Sequence, residues 1–168
     1  MIEIRNVQEK DYEQIKRLEN AIFEFHRKHR PDYFREHADY TRKEFEELLK
    51  LPALMAFVAT LEEEIVGICF GKIEKSRGNT YCKERKTAVI DDLFVLPQYR
   101  GCGIASNLVK AVHEKAMVER AESLELCVWG FNSSAMQFYE KLGMKVQFLR
   151  MEQSLFPKKA EDGEVKSW

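Results

Sequence analysis

Gln98-Tyr99-Arg100-Gly101-Cys102-Gly103-Ile104-Ala105 is the stretch that decides the fold. A strongly apolar run over 87–95, closed by Pro97, precedes it. After it, Ile104, Leu108, Val112 and Ala116 recur at four-residue steps, with Ala105 and Val109 beside them. The pattern predicts a strand, a glycine turn and a long helix. Glycines let the backbone turn tightly and approach a ligand with no Cβ in the way. The first amides of a helix have no internal acceptor and sit at the positive end of its dipole, so they can cradle a phosphate. Gly101, Cys102, Gly103, Ile104 and Ala105 are therefore candidate phosphate-binding positions, with Arg100 adding charge. A tight turn without a ligand is the plainer alternative.

Other phosphate motifs fit poorly. No Gly-Lys-Ser/Thr sequence is present. The dinucleotide fingerprint needs a third glycine where Ser106 stands, and an acid at the end of the following strand, where Trp129 and Gly130 stand.

Working outward, Ile2 and Ile4 mark a first strand. Tyr12, Ile15, Leu18, Ile22 and Phe25 trace one face of a helix that Pro31 ends. Thr41-Arg42-Lys43-Glu44 has the form of a capping box and opens a second helix. Residues 53–61 and 65–73 read as a hairpin turning at Glu62-Glu63-Glu64. Beyond the long helix come a strand over 123–129, a short helix over 133–142 stopped by Gly143, and a last strand over 144–155. The expectation is one mixed α/β domain over 1–156, in the order β-α-α-β-β-β-α-β-α-β, and a polar tail over 157–168.

The 168 residues suffice for one substantial core. With 27 basic and 28 acidic residues, the net charge of −1 gives no footprint of a nucleic-acid binder. No run is long enough to span a bilayer, and the first residues lack the apolar stretch of a signal peptide. Cys69, Cys82, Cys102 and Cys127 show no CxxC spacing, so no metal site is expected. Cys69 and Cys127 fall in runs that read as buried strands, and a reducing, cytoplasmic setting follows.

Two blocks carry a family resemblance. Gln98-Tyr99-Arg100-Gly101-Cys102-Gly103 matches the Gln/Arg-x-x-Gly-x-Gly/Ala signature of the GNAT superfamily of N-acetyltransferases. Asn132-Ser133-Ser134-Ala135-Met136-Gln137-Phe138-Tyr139-Glu140-Lys141-Leu142-Gly143-Met144 resembles the family's Asn-x-x-Ala-x-x-Phe-Tyr-x-x-Leu-Gly-Phe pattern, with Met144 in place of the last Phe. The resemblance implies a central twisted mixed sheet flanked by helices. It also implies acetyl-CoA as donor, a small-molecule or peptide amine as acceptor, and direct attack in a ternary complex. Homodimerisation is implied too, although the residues themselves do not signal it. An acyl-CoA-binding sensor with the same fold but no turnover is the alternative.

The resemblance lays the donor's pantetheine arm along Leu93, Phe94 and Val95 and makes the Tyr139 phenol the acid for the departing thiolate. The plainer reading of Tyr139 is a core tyrosine on the helix face of Ala135 and Leu142. Asn132 is a ligand contact, an N-cap, or both. Asp91 and Asp92 interrupt an apolar strand; one of them accepts the amine proton or pairs with a cationic acceptor, unless both are structural. Neighbours in a strand face opposite sides, so at most one faces the site unless a bulge intervenes. Asp91 matches the acidic position of polyamine-acetylating members and is slightly preferred. Phe23, His26, Tyr33 and Phe34 lie where the family shapes its acceptor pocket. His26-x-x-His29 has helical ligand spacing, but a solvated basic helix end is the better reading.

Overall fold

The computed structural model describes residues 1–155. The chain divides into two compact units, Met1–Ser133 and a second that begins at Ser134. The tail expected over 157–168, together with residue 156, lies outside the described residues.

The first unit is built on a five-stranded sheet in the order β1-β2-β3-β4-β5. Its strands are β1 (Ile2–Asn6), β2 (Met55–Leu61), β3 (Glu64–Ser76), β4 (Arg85–Val95) and β5 (Ser123–Leu126). The first four pair antiparallel and β5 joins β4 in parallel. A parallel pair needs a crossover, and helix α3 (Ile104–Val118) provides it. Helices α1 (Tyr12–His29) and α2 (Arg42–Leu49) connect β1 to β2.

Residues 65–71 of β3 are buried without a break, as a central strand covered on both faces must be. On one face, Ile65, Ile68 and Phe70 pack with Ala56 and Val58 against Tyr12, Ile15 and Leu18 of α1 and Phe45 of α2. Gly67 faces the other way: a Cβ there would stand 3.2 Å from Leu108 Cδ1 of α3. Ile65 joins Ile68 and Phe70 despite its odd spacing because the β2–β3 register shifts between Ala59 and Thr60, which inserts Val66.

Helix ends follow local chemistry. Thr41 Oγ1 accepts the Glu44 N–H at 3.2 Å, and Glu44 Oε2 accepts the Thr41 N–H at 2.8 Å, so the capping box forms as its sequence predicts. Asp11, 3% exposed, ties β1 to the start of α1. Its carboxylate accepts Arg5 Nη1 at 2.7 Å, Arg5 Nη2 at 2.9 Å and the Gln8 N–H at 2.8 Å. Burial pushes its pKa up, but Arg5 and the Gln8 amide outweigh that and hold it below the usual carboxylate range.

Helix α4 (Ser133–Lys141), all but its first residue in the second unit, ends as Gly143 predicts. Gly143 has φ +87°, its N–H donates to Glu140 O at 2.9 Å, and the Met144 N–H reaches Tyr139 O at 3.1 Å, a Schellman closure. Among the described residues, none of the segment 144–155, expected as a strand, pairs in a ladder. Val146, Phe148, Met151 and Leu155 are exposed along it. Apolar patterning fixes which side chains could share a face, while pairing is decided by the neighbouring strand. The expected strand over 123–129 also stops early, at Leu126, which leaves Cys127 exposed rather than buried in a strand.

Asp11→Ala should strand a part-buried Arg5 and remove the Gln8 cap together. Urea unfolding should show a loss of about 2–3 kcal/mol, and a loss under about 0.5 kcal/mol would contradict this role.

Candidate active site

The site is assembled around an irregularity in the β3–β4 ladder. Phe70 lies opposite Asp92 and Gly71 opposite Ile90, so Asp91 is an extra residue on β4. Backbones crowd there: a Cβ on Gly71 would stand 2.4 Å from Val89 O, which reserves the position for glycine. A bulge re-aims side chains. Asp91 and Asp92 consequently both line one cavity of about 310 Å³, floored by Phe70 and walled by Glu19 of α1, Tyr40, and Glu44, Glu47, Leu48 and Leu51 of the α2 region.

The two aspartates differ in surroundings. Asp91 is exposed and pairs with Lys72 at 3.4 Å. Asp92 is the more enclosed. Burial pushes its carboxyl up to about 6, with Asp91 adding and Lys72 opposing. Burial pushes Glu19 up to about 8, and the Asp92 charge adds to that. Glu19 Oε1 is fully buried and has no hydrogen-bond partner among the described residues. Near-neutral titration of carboxyls in a cavity suits proton transfer from an amine.

A second feature lies at the end of β4. The β4–β5 ladder runs from Thr87 opposite Ser123 to Ile90 opposite Leu126 and stops. Leu93, Phe94 and Val95 extend past it, still paired with Cys69, Ile68 and Gly67 of β3. The chain then turns through Gly101 (φ +80°) and Gly103 (φ +77°), left-handed conformations that favour glycine. Among the described residues, no atom lies within 4 Å of where a Cβ on either would stand, so the turn is open there. Gly103 is the N-cap of α3 with no side chain capping it, while Ile104, 2% exposed, anchors the helix start in the core. Ala105 is half-buried and Cys102 exposed. Arg100 is partly committed: its Nε donates to Val95 O at 2.9 Å, and its guanidinium lies 5.5 Å from the Phe94 ring centre.

Phe23, His26, Tyr33 and Phe34 do come together, but none of them lines the acidic cavity. His26 stacks on Phe34 at 5.5 Å, and Phe23 meets Phe34 edge-on at 6.3 Å. Trp129 packs edge-on against Tyr33 at 5.0 Å, and Phe131 stacks on His29 at 4.5 Å. His29 Nδ1 donates to Phe25 O at 2.8 Å, and burial, with His29 nearby, lowers the His26 pKa. Asn132 follows, its N–H donating to Trp129 O at 2.8 Å. In the second unit, Tyr139 is half-buried on α4, with Phe138 edge-on at 5.1 Å.

Glu19 is the main residue that sequence reading passes over. It sits four residues after Ile15 and three before Ile22, within the apolar stripe of α1 where a carboxylate has no place. That misplacement was its signal. Glu44, Glu47 and Tyr40 carried none.

The fourth strand of the mixed sheet thus outruns its parallel neighbour and leads into the glycine turn, with titratable carboxyls at its bulge. Residues 20–144 match the Acetyltransferase (GNAT) family, and the chain belongs to that family. It is 41% identical over 54 residues to a thialysine N-epsilon-acetyltransferase of Bos taurus, covering 32% of each chain. It is 39% identical over 113 residues to an N-alpha-acetyltransferase of Sulfurisphaera tokodaii, covering 63% of this chain and 66% of that one. The matched stretch thus spans about a third of the bovine relative's length. Among solved structures, a mutant of the BH1408 protein from Bacillus halodurans superposes with a TM-score of 0.87 at 29% identity, covering 92% of this chain and 99% of that one.

Unfolded Glu19 titrates near 4.5 and folded Glu19 near 8, so the folded state binds the extra proton. Stability should therefore fall as pH rises from about 4.5 to 8. Glu19→Gln should flatten that slope and leave the protein more stable than wild type above about pH 8. Parallel thermal-melt profiles for the two proteins would contradict the assignment.

Proposed function

We propose that the protein transfers the acetyl group of acetyl-CoA to a primary amine, in the cytoplasm, where thiols stay reduced. The open glycine turn beside the free end of β4 carries the reading. Amides at the start of α3 would hold the donor's pyrophosphate, with the remaining Arg100 donors adding charge. The β4 edge at Leu93, Phe94 and Val95 would take the pantetheine arm as an added strand. Gly101, Cys102, Gly103, Ile104 and Ala105 are the positions assigned to the phosphates, and Asn132 remains a further contact or cap.

Acetyl-CoA supplies an activated thioester. The chain's own part is to orient the amine and manage protons. An amine of pKa about 10 arrives protonated and must lose a proton before its nitrogen can bond to the acetyl carbon. Asp92, with Glu19 behind it, is the acceptor for that proton. As the carbon–sulfur bond breaks, its electron pair leaves on sulfur. Tyr139, assigned from its motif, returns a proton there. The balance is one ammonium and one thioester giving one amide, one thiol and one proton. Positioning two bound reactants accounts for most of the acceleration.

Calorimetry with acetyl-CoA, and with ATP as comparison, tests the donor site. Wild type should bind acetyl-CoA selectively, and Gly101→Glu should weaken it by at least about 100-fold through bulk, backbone strain and charge beside a phosphate. Equal affinity in a folded variant would remove the turn from the site. Tyr139→Phe should slow thiol release by about 100-fold while leaving acetyl-CoA affinity within about threefold. Full-rate turnover would remove Tyr139 from the mechanism.

A further inference from the structure

Charge is unevenly distributed along this chain. Its net charge is −1, yet six cations and two carboxylates between residues 72 and 86 give that segment +4. The segment is the far end of the β3–β4 hairpin. β2 pairs with β3 only as far as Gly71, and β5 meets β4 only from Thr87 onward. The β3–β4 ladder continues to Ser76 opposite Arg85. Its last rungs therefore form a two-stranded ribbon, with no third strand in the ladder among the described residues. Residues 74–85 are exposed without a break.

Part of this charge is answered and part is not. Lys72 meets Glu74 and Asp91, each at 3.4 Å, and Arg85 meets Glu125 at 3.2 Å. Lys75, Arg77 and Lys83 form no ion pair among the described residues. Lys75 also stands directly opposite Lys86 in the ladder, a like-charge pair that disfavours the pairing. Lys86 turns to the Glu119 backbone and carboxylate, and Lys75 is left in water. Lysines on an exposed ribbon guard its edges against pairing with another chain. Charge alone meets that need, and it gives no account of the tip.

The tip is tied by its own polar groups. Asn79 Oδ1 accepts the Tyr81 and Cys82 N–H groups, each at 2.8 Å, and the Asn79 N–H donates to Cys82 O at 2.8 Å. The chain crosses itself at Gly78, where a Cβ would stand 2.8 Å from Glu84 N. Tyr81 is thereby held outward, 94% exposed. Unpaired cations take phosphates, and a flat ring takes the face of a base. The ring needs an unstacked base, which a single strand offers and a duplex does not. A lipid surface calls for apolar side chains to insert, and Asn79, Thr80 and Cys82 supply little of that. An acidic peptide uses the cations and leaves the ring idle.

We propose that this ribbon is a docking arm for single-stranded nucleic acid, with Tyr81 stacked on an unpaired base and Lys75, Arg77 and Lys83 on neighbouring phosphates. The whole-chain charge conceals the arm, because the rest of the sequence carries −5. The inference stands apart from acetyl transfer and uses none of the residues assigned to it.

Fluorescence anisotropy with labelled twelve-nucleotide oligothymidylate and oligouridylate tests it. Binding of either supports the arm, and the tighter one names the strand. Raising salt from 50 to 200 mM should weaken binding about 20-fold, as three phosphate contacts on a single strand require. Tyr81→Ser should weaken it at least about fivefold with the salt dependence unchanged. Lys75→Gln, Arg77→Gln and Lys83→Gln together should flatten the salt dependence. Lys110→Gln, an exposed lysine of α3, should change neither. No binding at 50 mM salt overturns the proposal. So does a duplex of the same length that binds as tightly as the single strand, or a triple variant that binds like wild type. Tighter binding to polyglutamate or to phosphatidylserine vesicles overturns it too.

Discussion

The site depends on the point where β3 and β4 slip by one residue. Gly71 lets the two backbones approach where any Cβ would meet Val89 O, and Asp91 is left over on β4. With ordinary alternation one aspartate would face α3 and the other α1 and α2. The slip instead brings both to one cavity with Phe70 as floor. Beyond the slip, β4 outlasts its pairing with β5, so the strand that carries the acids also offers an edge, unpaired among the described residues, that leads into the glycine turn. The acidic cavity and the strand end beside the glycine turn are thus two consequences of one strand's path.

That arrangement works against stability in the way functional sites commonly do. Phe45, Ile15 and Leu18 pack almost without exposure against β2 and β3, and the Asp11–Arg5 pair fastens the start of α1. On that rigid base α1 also carries Glu19, a carboxyl that burial holds above its ordinary range and that no described side chain relieves. Where Asp11 is fully answered and holds the fold, Glu19 is unanswered and available for a ligand. The two lie eight residues apart, one at the N-cap of α1 and the other within it.

Much of this was legible in the sequence because it rests on local rules. The Thr41 capping box, the Gly143 stop, the 3.6-residue stripe of α1 and the strand–glycine–helix run around Gly101 each have a short-range cause. The bulge was foreseen only as a condition, since a register slip is a property of two strands and neither sequence announces it. Residues 144–155 show the limit from the other side: their alternation is strand-like, yet no ladder forms among the described residues. Asp92 rather than Asp91 is the enclosed acid because of which residue the slip leaves over. The aromatic residues of α1 and the following turn assemble as a group, but against Trp129 and Phe131 rather than at the acidic cavity. Glu19 alone among the unanticipated residues left a mark, as a charge within an apolar stripe.

Backbone hydrogen exchange with and without CoA tests the central claim most directly, because the proposed contacts at 93–95 and 101–105 are largely backbone contacts. Binding along the β4 edge and at the start of α3 should slow exchange in both segments together, with residues 2–6 of β1 unchanged as an internal reference. Saturating CoA that leaves both segments exchanging at their original rates would contradict the account.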